Sequence, residues 1–155
     1  MITVETRYFG AVSEDVGLAI EFPAGLPAFE GECRFLAIEH PRTSPLVLLQ
    51  STATADLCFL ALPVHSIDPG YRLQMSPEDM GAIGIADTAA ADIAVLAFIV
   101  VDANGGITAN LMAPVIVNRE NRRAVQSVRW DGAYAHDHPI LMAAGALARE
   151  GSPCS

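Results

Sequence analysis

Residues 2–8 alternate apolar and polar positions (I-T-V-E-T-R-Y), putting Ile2, Val4 and Tyr8 on one face with Thr6, and Thr3, Glu5 and Arg7 on the other. A period of two predicts a strand with one wet face. Strand-like runs follow at 17–22, 34–39, 46–51, 57–62, 71–75, 93–101, 107–111, 114–118 and 124–130. Turn formers separate nearly all of them: Pro23-Ala24-Gly25, Pro41-Arg42-Thr43-Ser44, Asp68-Pro69-Gly70 and Asn104-Gly105-Gly106. Many short strands at regular spacing predict a mainly β fold, a sandwich or barrel. The stretch 102–106 predicts a hairpin loop, since Asn and Gly tolerate the positive φ of such turns. A barrel also protects the edges of so many apolar strands.

Two short helices interrupt the strands. Ser76-Pro77-Glu78-Asp79 carries an N-cap serine, a first-turn proline and acids at the positive end of the dipole, and Gly81 or Gly84 ends the helix. A second helix is expected from near Asp137, with Pro139 in its first turn and Ile140, Leu141, Ala144 and Leu147 on one stripe, weakened by Gly145. The expectation is a small antiparallel β-barrel-like single domain over residues 1–150, with 151–155 as a frayed tail.

Composition narrows the class. Of 155 residues, 52% are hydrophobic and 17% charged, with mean hydropathy +0.35, which excludes a disordered chain. The length suits one domain, and a domain of about 150 residues buries ~70% of its unfolded surface. The apolar run Ile93–Val101 is nine residues long, well short of the ~20 that span a bilayer. The first ten residues, MITVETRYFG, lack a cationic start followed by an apolar stretch, so a soluble cytoplasmic protein with no membrane partner is expected.

Charge is uneven. Eighteen acids face nine cations, every one of them arginine, for a net charge of −9. Fourteen acids and four arginines fall in residues 1–103, against four acids and five arginines in 104–155. This argues against direct nucleic-acid binding, which needs clustered cations. An acidic surface can steer a basic partner, or it can simply keep an apolar chain in solution.

Motifs for chemistry are sparse. His136-Asp137-His138 invites a metal reading, but Pro139 follows at once and Asp137 suits a helix cap better. Cys33, Cys58 and Cys154 are odd in number without C-x-x-C spacing, and Cys58, within LCFLAL, suits a small core position. There is neither a G-x-S-x-G elbow nor a phosphate loop. No enzyme, metal or cofactor is expected. What remains is Asn110, Asn118 and Gln126 set among apolar strands, and the loop Phe22-Pro23-Ala24-Gly25-Leu26-Pro27-Ala28-Phe29-Glu30. The amides suit backbone satisfaction at strand ends. The loop suits either a lid on the barrel mouth or a preformed apolar anchor.

Those residues also carry a resemblance. Tyr8-Phe9-Gly10, the 22–30 loop, Leu49-Gln50-Ser51, Asn110-Leu111-Met112-Ala113-Pro114-Val115-Ile116-Val117-Asn118 with Arg122 and Gln126, and His138-Pro139-Ile140-Leu141 occur in this order. Together they resemble the FliW family of flagellar assembly factors over residues 2–141. Ala28 and Arg123 stand where that family usually has glycine, and Val47-Leu48 where it has an aromatic.

The resemblance implies a bacterial cytoplasmic protein with a small β-barrel-like fold and no catalytic group. It implies binding to flagellin and to the translational regulator CsrA, a small basic dimer whose repression of flagellin synthesis the factor relieves. A flagellin-only chaperone and a small-molecule-binding barrel are the alternatives. A monomer is expected when free. Candidate partner contacts are the acids Asp56, Glu78, Asp79, Asp87 and Asp92 for CsrA, and Leu26 and Phe29 as apolar anchors. The Asn118–Arg123 edge, with Arg122 and Arg123 as its cations, is the candidate face toward a flagellin helix. The amides Asn110, Asn118 and Gln126 are candidates of mixed role that shape it. The alternative for the cationic run is a solvated turn balancing nearby acids.

Overall fold

Strand pairing organises the chain from its first described residues. The computed structural model describes residues 3–6, 10–13, 17–27, 29–39 and 41–140. β1 (Thr3–Thr6) and β2 (Gly10–Ser13) pair antiparallel as a separate two-stranded sheet. The alternation at the start foresees only the first, and its ends Ile2 and Tyr8 lie outside the described residues. The main sheet is built from β3 (Gly17–Glu21), β4 (Arg34–Glu39), β5 (Val47–Ser51), β6 (Cys58–Pro63), β7 (Ile93–Val101), β8 (Ile107–Ala109), β9 (Val115–Asn118), β10 (Ala124–Gln126) and β11 (His138–Pro139).

Along its main path the order is β10-β9-β7-β6-β5-β4-β3, each pair antiparallel. The two ends of this path meet. Glu21 bridges Arg123, and its N–H donates to the Arg122 carbonyl at 2.9 Å. The sheet is therefore a nearly closed barrel, and the predicted mainly β fold is observed. Every strand of the closing path sends side chains into one cluster: Ile20, Phe35, Leu49, Ala61, Leu96, Val115 and Ala124, joined by Phe22 and Leu26. A set drawn from all strands of a closed path is the barrel interior, and side chains occupy it.

The opposite faces of β5, β6 and β7 are buried too. Leu48, Leu60 and Ile99 join Val64, Tyr71, Ile107, Ala109 and Leu111 in a second cluster outside the barrel wall. Burial on both faces explains why these strands lack alternation. Cys58 is buried there as the sequence suggests, but it is disulfide-bonded rather than a free thiol. β7 is long enough to serve two partners on one edge, β9 beside residues 93–96 and β8 beside residues 99–101.

α2 (Pro77–Ile83) matches its sequence signals. The Ser76 hydroxyl accepts from the Asp79 N–H at 3.1 Å, and Gly84 ends the helix at φ 73°. A one-turn helix, α1 (Val64–Ile67), was not foreseen; it is too short to show a period. Two expectations fail. Residues 71–75 form no strand, because the Arg72 N–H donates to the Tyr134 hydroxyl and its carbonyl accepts from Arg129, leaving no ladder to join. No helix starts at Asp137 either: His138 and Pro139 pair with Ala109 and Thr108 of β8, and the Ile140 N–H donates to the Ile107 carbonyl. Proline is tolerated there because β11 is an edge strand. Leu141, Ala144, Leu147 and the 151–155 tail lie outside the described residues. Among the described residues, no helix is long and apolar enough to cross a membrane.

Candidate partner-binding surfaces

The 22–33 loop is fixed by its own backbone. The Gly25 N–H donates to Phe22 O at 2.9 Å, Phe29 N–H to Leu26 O at 2.8 Å and Phe22 N–H to Cys33 O at 2.7 Å. Gly25 sits at φ 72°, and a Cβ there would lie 2.3 Å from the Glu30 carbonyl oxygen, so only glycine fits. This geometry separates the two candidate anchors. Leu26 is 1% exposed and belongs to the interior, whereas Phe29 is 42% exposed and meets Phe59 edge-on at 5.7 Å. Leu26 thus holds the loop down, and Phe29 is the side chain the loop presents.

The Leu49-Gln50-Ser51 segment builds the adjoining 52–57 loop. Gln50, 2% exposed, aims its Nε2 at the carbonyls of Ser51, Thr54, Ala55 and Leu57 at 3.1–3.3 Å. The Ser51 hydroxyl accepts from the Ala53 and Thr54 N–H groups and donates to Glu32 at 2.6 Å. Thr54 donates to the other Glu32 oxygen at 2.5 Å. These two hydroxyls hold the Glu32 carboxyl below its usual range, with burial opposing weakly. Glu32 therefore ties the 22–33 loop to the 52–57 loop. Leu49-Gln50-Ser51 stands out in the sequence, but this task of Gln50 and Ser51 is not legible there.

The amides satisfy backbone as expected. Asn110 Oδ1 accepts from Met112 and Ala113 N–H at 3.2 and 3.0 Å, where the chain leaves β8 for β9. Gln126 Nε2 donates to the Ala113 carbonyl at 3.1 Å, securing the same crossing. Asn118 is 4% exposed; it donates to the Ile83 carbonyl at 2.8 Å and accepts from Glu120 N–H at 3.0 Å. Asn121, which sequence reasoning passed over, donates to the same Ile83 carbonyl at 2.9 Å. The last carbonyl of α2 is thereby stapled to the β9–β10 hairpin.

That hairpin carries Arg122 and Arg123, both exposed, with Arg122 at φ 63°. Three of the five candidate acids, Glu78, Asp79 and Asp92, gather near it rather than forming a separate face. Asp79 accepts from the Ser127 hydroxyl at 2.6 Å, Glu78 lies beside it on α2, and Asp87 and Asp92 belong to the connection into β7. Asp92 pairs with Arg119 at 2.9 Å, both more than half exposed, a contact worth ~0–1 kcal/mol. Asp87 accepts from the Ala89 N–H. Asp56 stands apart, exposed in the 52–57 loop.

One cluster was missed. Arg129 continues the cationic run in sequence but is 7% exposed. It donates to both Asp131 oxygens, at 3.3 and 2.6 Å, and to the Arg72 carbonyl, and its guanidinium lies 4.7 Å from the Tyr134 ring and 5.5 Å from the Tyr71 ring. Tyr71 donates to the Leu111 carbonyl at 2.8 Å. The Asp131 bond keeps Arg129 protonated to still higher pH, Arg129 holds the Asp131 carboxyl down, and burial pushes the Tyr71 phenol up. Its neighbour Trp130 is 89% exposed. Among the described residues no group of three or more His, Cys, Asp or Glu could hold a metal ion.

Comparison with known proteins gives one answer. The family described as FliW protein matches residues 3–140. The flagellar assembly factor FliW of Azoarcus sp. (strain BH72) is 35% identical over 130 residues, covering 81% of this chain and 89% of that protein. That of Desulfitobacterium hafniense (strain Y51) is 32% identical over 143 residues, 92% and 93% of the two chains. A crystal structure of the flagellar assembly factor FliW superposes with a TM-score of 0.78 at 26% identity, covering 91% of this chain and 98% of the other.

Proposed function

Because the chain belongs to the FliW family of flagellar assembly factors, we propose that it is a cytoplasmic, monomeric, non-catalytic binding protein that takes up flagellin and antagonises the regulator CsrA by partner switching. Flagellin and CsrA compete for a limited supply of this protein. When flagellin is scarce, the protein holds CsrA off its targets and flagellin translation rises. When flagellin accumulates, it captures the protein and releases CsrA.

The observation that carries this reading beyond the family is the placement of charge. A chain of net charge −9 suits a small basic regulator, while its exposed Arg122 and Arg123 offer cations to acids on a flagellin helix. The test is direct binding of the purified protein to flagellin and to CsrA from the same bacterium, each alone. Binding to both supports the proposal. Binding to flagellin only leaves a flagellin chaperone, and binding to neither overturns the reading.

A further inference from the structure

Three loops meet at the end of the barrel where Phe29 is presented. Glu32 joins the 22–33 and 52–57 loops through Ser51 and Thr54. The register that sets Leu60 opposite Ile99 carries Phe59 alongside Val100, and so brings the 52–57 loop beside the 102–106 loop. Between them lies an apolar shelf. Phe29 packs on Phe59 at 5.7 Å, and Phe59 stacks on Phe98 at 4.8 Å. Phe59 and Phe98 are only partly buried, and Val100, two residues along the same face of β7, is 63% exposed. The shelf continues the barrel interior outward, since Phe59 also meets Phe35 at 6.0 Å and Phe35 meets Phe22 at 5.5 Å.

The charge around the shelf is mainly acidic. The three loops hold Glu30, Glu32, Asp56 and Asp102 and contain no arginine, while exposed Arg34 stands at their foot, its carbonyl accepting from the Thr52 N–H. Glu32 is held ionised by its two hydroxyl donors. Acids outnumber arginines more strongly in these loops than around α2 and the β9–β10 hairpin, whose Arg122 carbonyl accepts from the Glu21 N–H at the foot of the 22–33 loop. An exposed aromatic and aliphatic centre inside a charged rim is the anatomy of a protein interface.

We propose that this shelf is the docking site for a basic protein segment that lays an apolar side chain between Phe29 and Val100 and sets its Lys or Arg residues against the acidic loops. The inference rests on the partner-switching reading and assigns the basic partner to this end of the barrel rather than to the α2 acids. Because Glu21 bonds the hairpin at the foot of the 22–33 loop, flagellin on the Arg122–Arg123 edge and the basic partner on the shelf occupy adjoining surfaces. The rim sets approach and salt dependence, and the shelf sets residence.

The test uses CsrA from the same bacterium as the probe, with flagellin binding measured in parallel. Val100→Lys and Glu30→Lys alter exposed positions, and Phe29→Ala removes the presented ring. The expected result for Val100→Lys and Glu30→Lys is a loss of CsrA affinity of about tenfold or more, with unchanged melting temperatures and unchanged flagellin affinity. Wild-type affinity for CsrA in both lysine variants overturns the assignment of the surface and leaves partner switching standing. Failure of the unaltered protein to bind CsrA overturns the functional reading, and this inference with it.

Discussion

Arg129 shows how one residue can tie distant parts of the chain together. Its guanidinium bonds Asp131 and the Arg72 carbonyl and lies over two tyrosine rings, so removing it strands a carboxylate, a carbonyl and a packed cavity. Charged hydrogen bonds contribute roughly 1.5–3 kcal/mol each, so Arg129→Ala should destabilise the fold by about 3 kcal/mol in a denaturant titration. Asp131→Asn should cost less, because that side chain is one-third exposed. Gly25 makes the opposite demand, for the absence of a side chain. Gly25→Ala adds a strained φ and a collision with the Glu30 backbone, and should cost at least ~2 kcal/mol by the same measurement. Neither role is written in local sequence in the same way. A glycine between prolines flags a tight turn, but the burial of Arg129 depends on Arg72, 57 residues away, and so reads as one more surface cation.

At the scale of elements, legibility follows where hydrogen bonds go. β4 and β7 were foreseen to the residue, since apolar β-forming runs bounded by turn residues leave the ladder as the natural partner for their backbone. α2 was foreseen because Ser76, Pro77 and Gly84 each satisfy a terminus locally. Residues 71–75 and 137–140 were misread because remote groups, the Tyr134 hydroxyl and the β8 backbone, take their hydrogen bonds. The α2–hairpin staple yields a contrast. Asn118→Ala should cost ~1–3 kcal/mol by leaving the Ile83 carbonyl one donor short. Arg122→Ala should leave stability nearly unchanged, since its side chain is exposed, while Arg122→Gly should raise it by about 0.5–1 kcal/mol by relieving the positive φ.

The joint between the 22–33 and 52–57 loops responds to acid. The Glu32 carboxyl is depressed below its usual value of 4.5, so its contribution is complete above that pH and is lost as pH falls through the lower folded value. Melting temperatures of the wild type and Glu32→Gln should therefore differ at neutral pH and converge progressively below about pH 4.5. A constant gap down to acid unfolding would contradict the joint.

For the whole molecule, the sequence foretold a closed β architecture and an acidic surface, and the structure adds where the acids go. Linear order placed Glu78, Asp79, Asp87 and Asp92 in the acid-rich residues 1–103 and five of the nine arginines in 104–155, yet folding brings Asp79 and Asp92 beside the β9–β10 hairpin and its arginines. Charge in a chain is one-dimensional, whereas partners meet the folded distribution. With the acid-rich loop end as the proposed CsrA site, association with CsrA should slow with added salt while dissociation changes little, as stopped-flow measurements would show. Partner switching requires that two partners share one limited protein. A titration of flagellin into a preformed complex of this protein with labelled CsrA tests this. CsrA should be released in proportion to the flagellin added. A stable ternary complex that retains CsrA at saturating flagellin would contradict it.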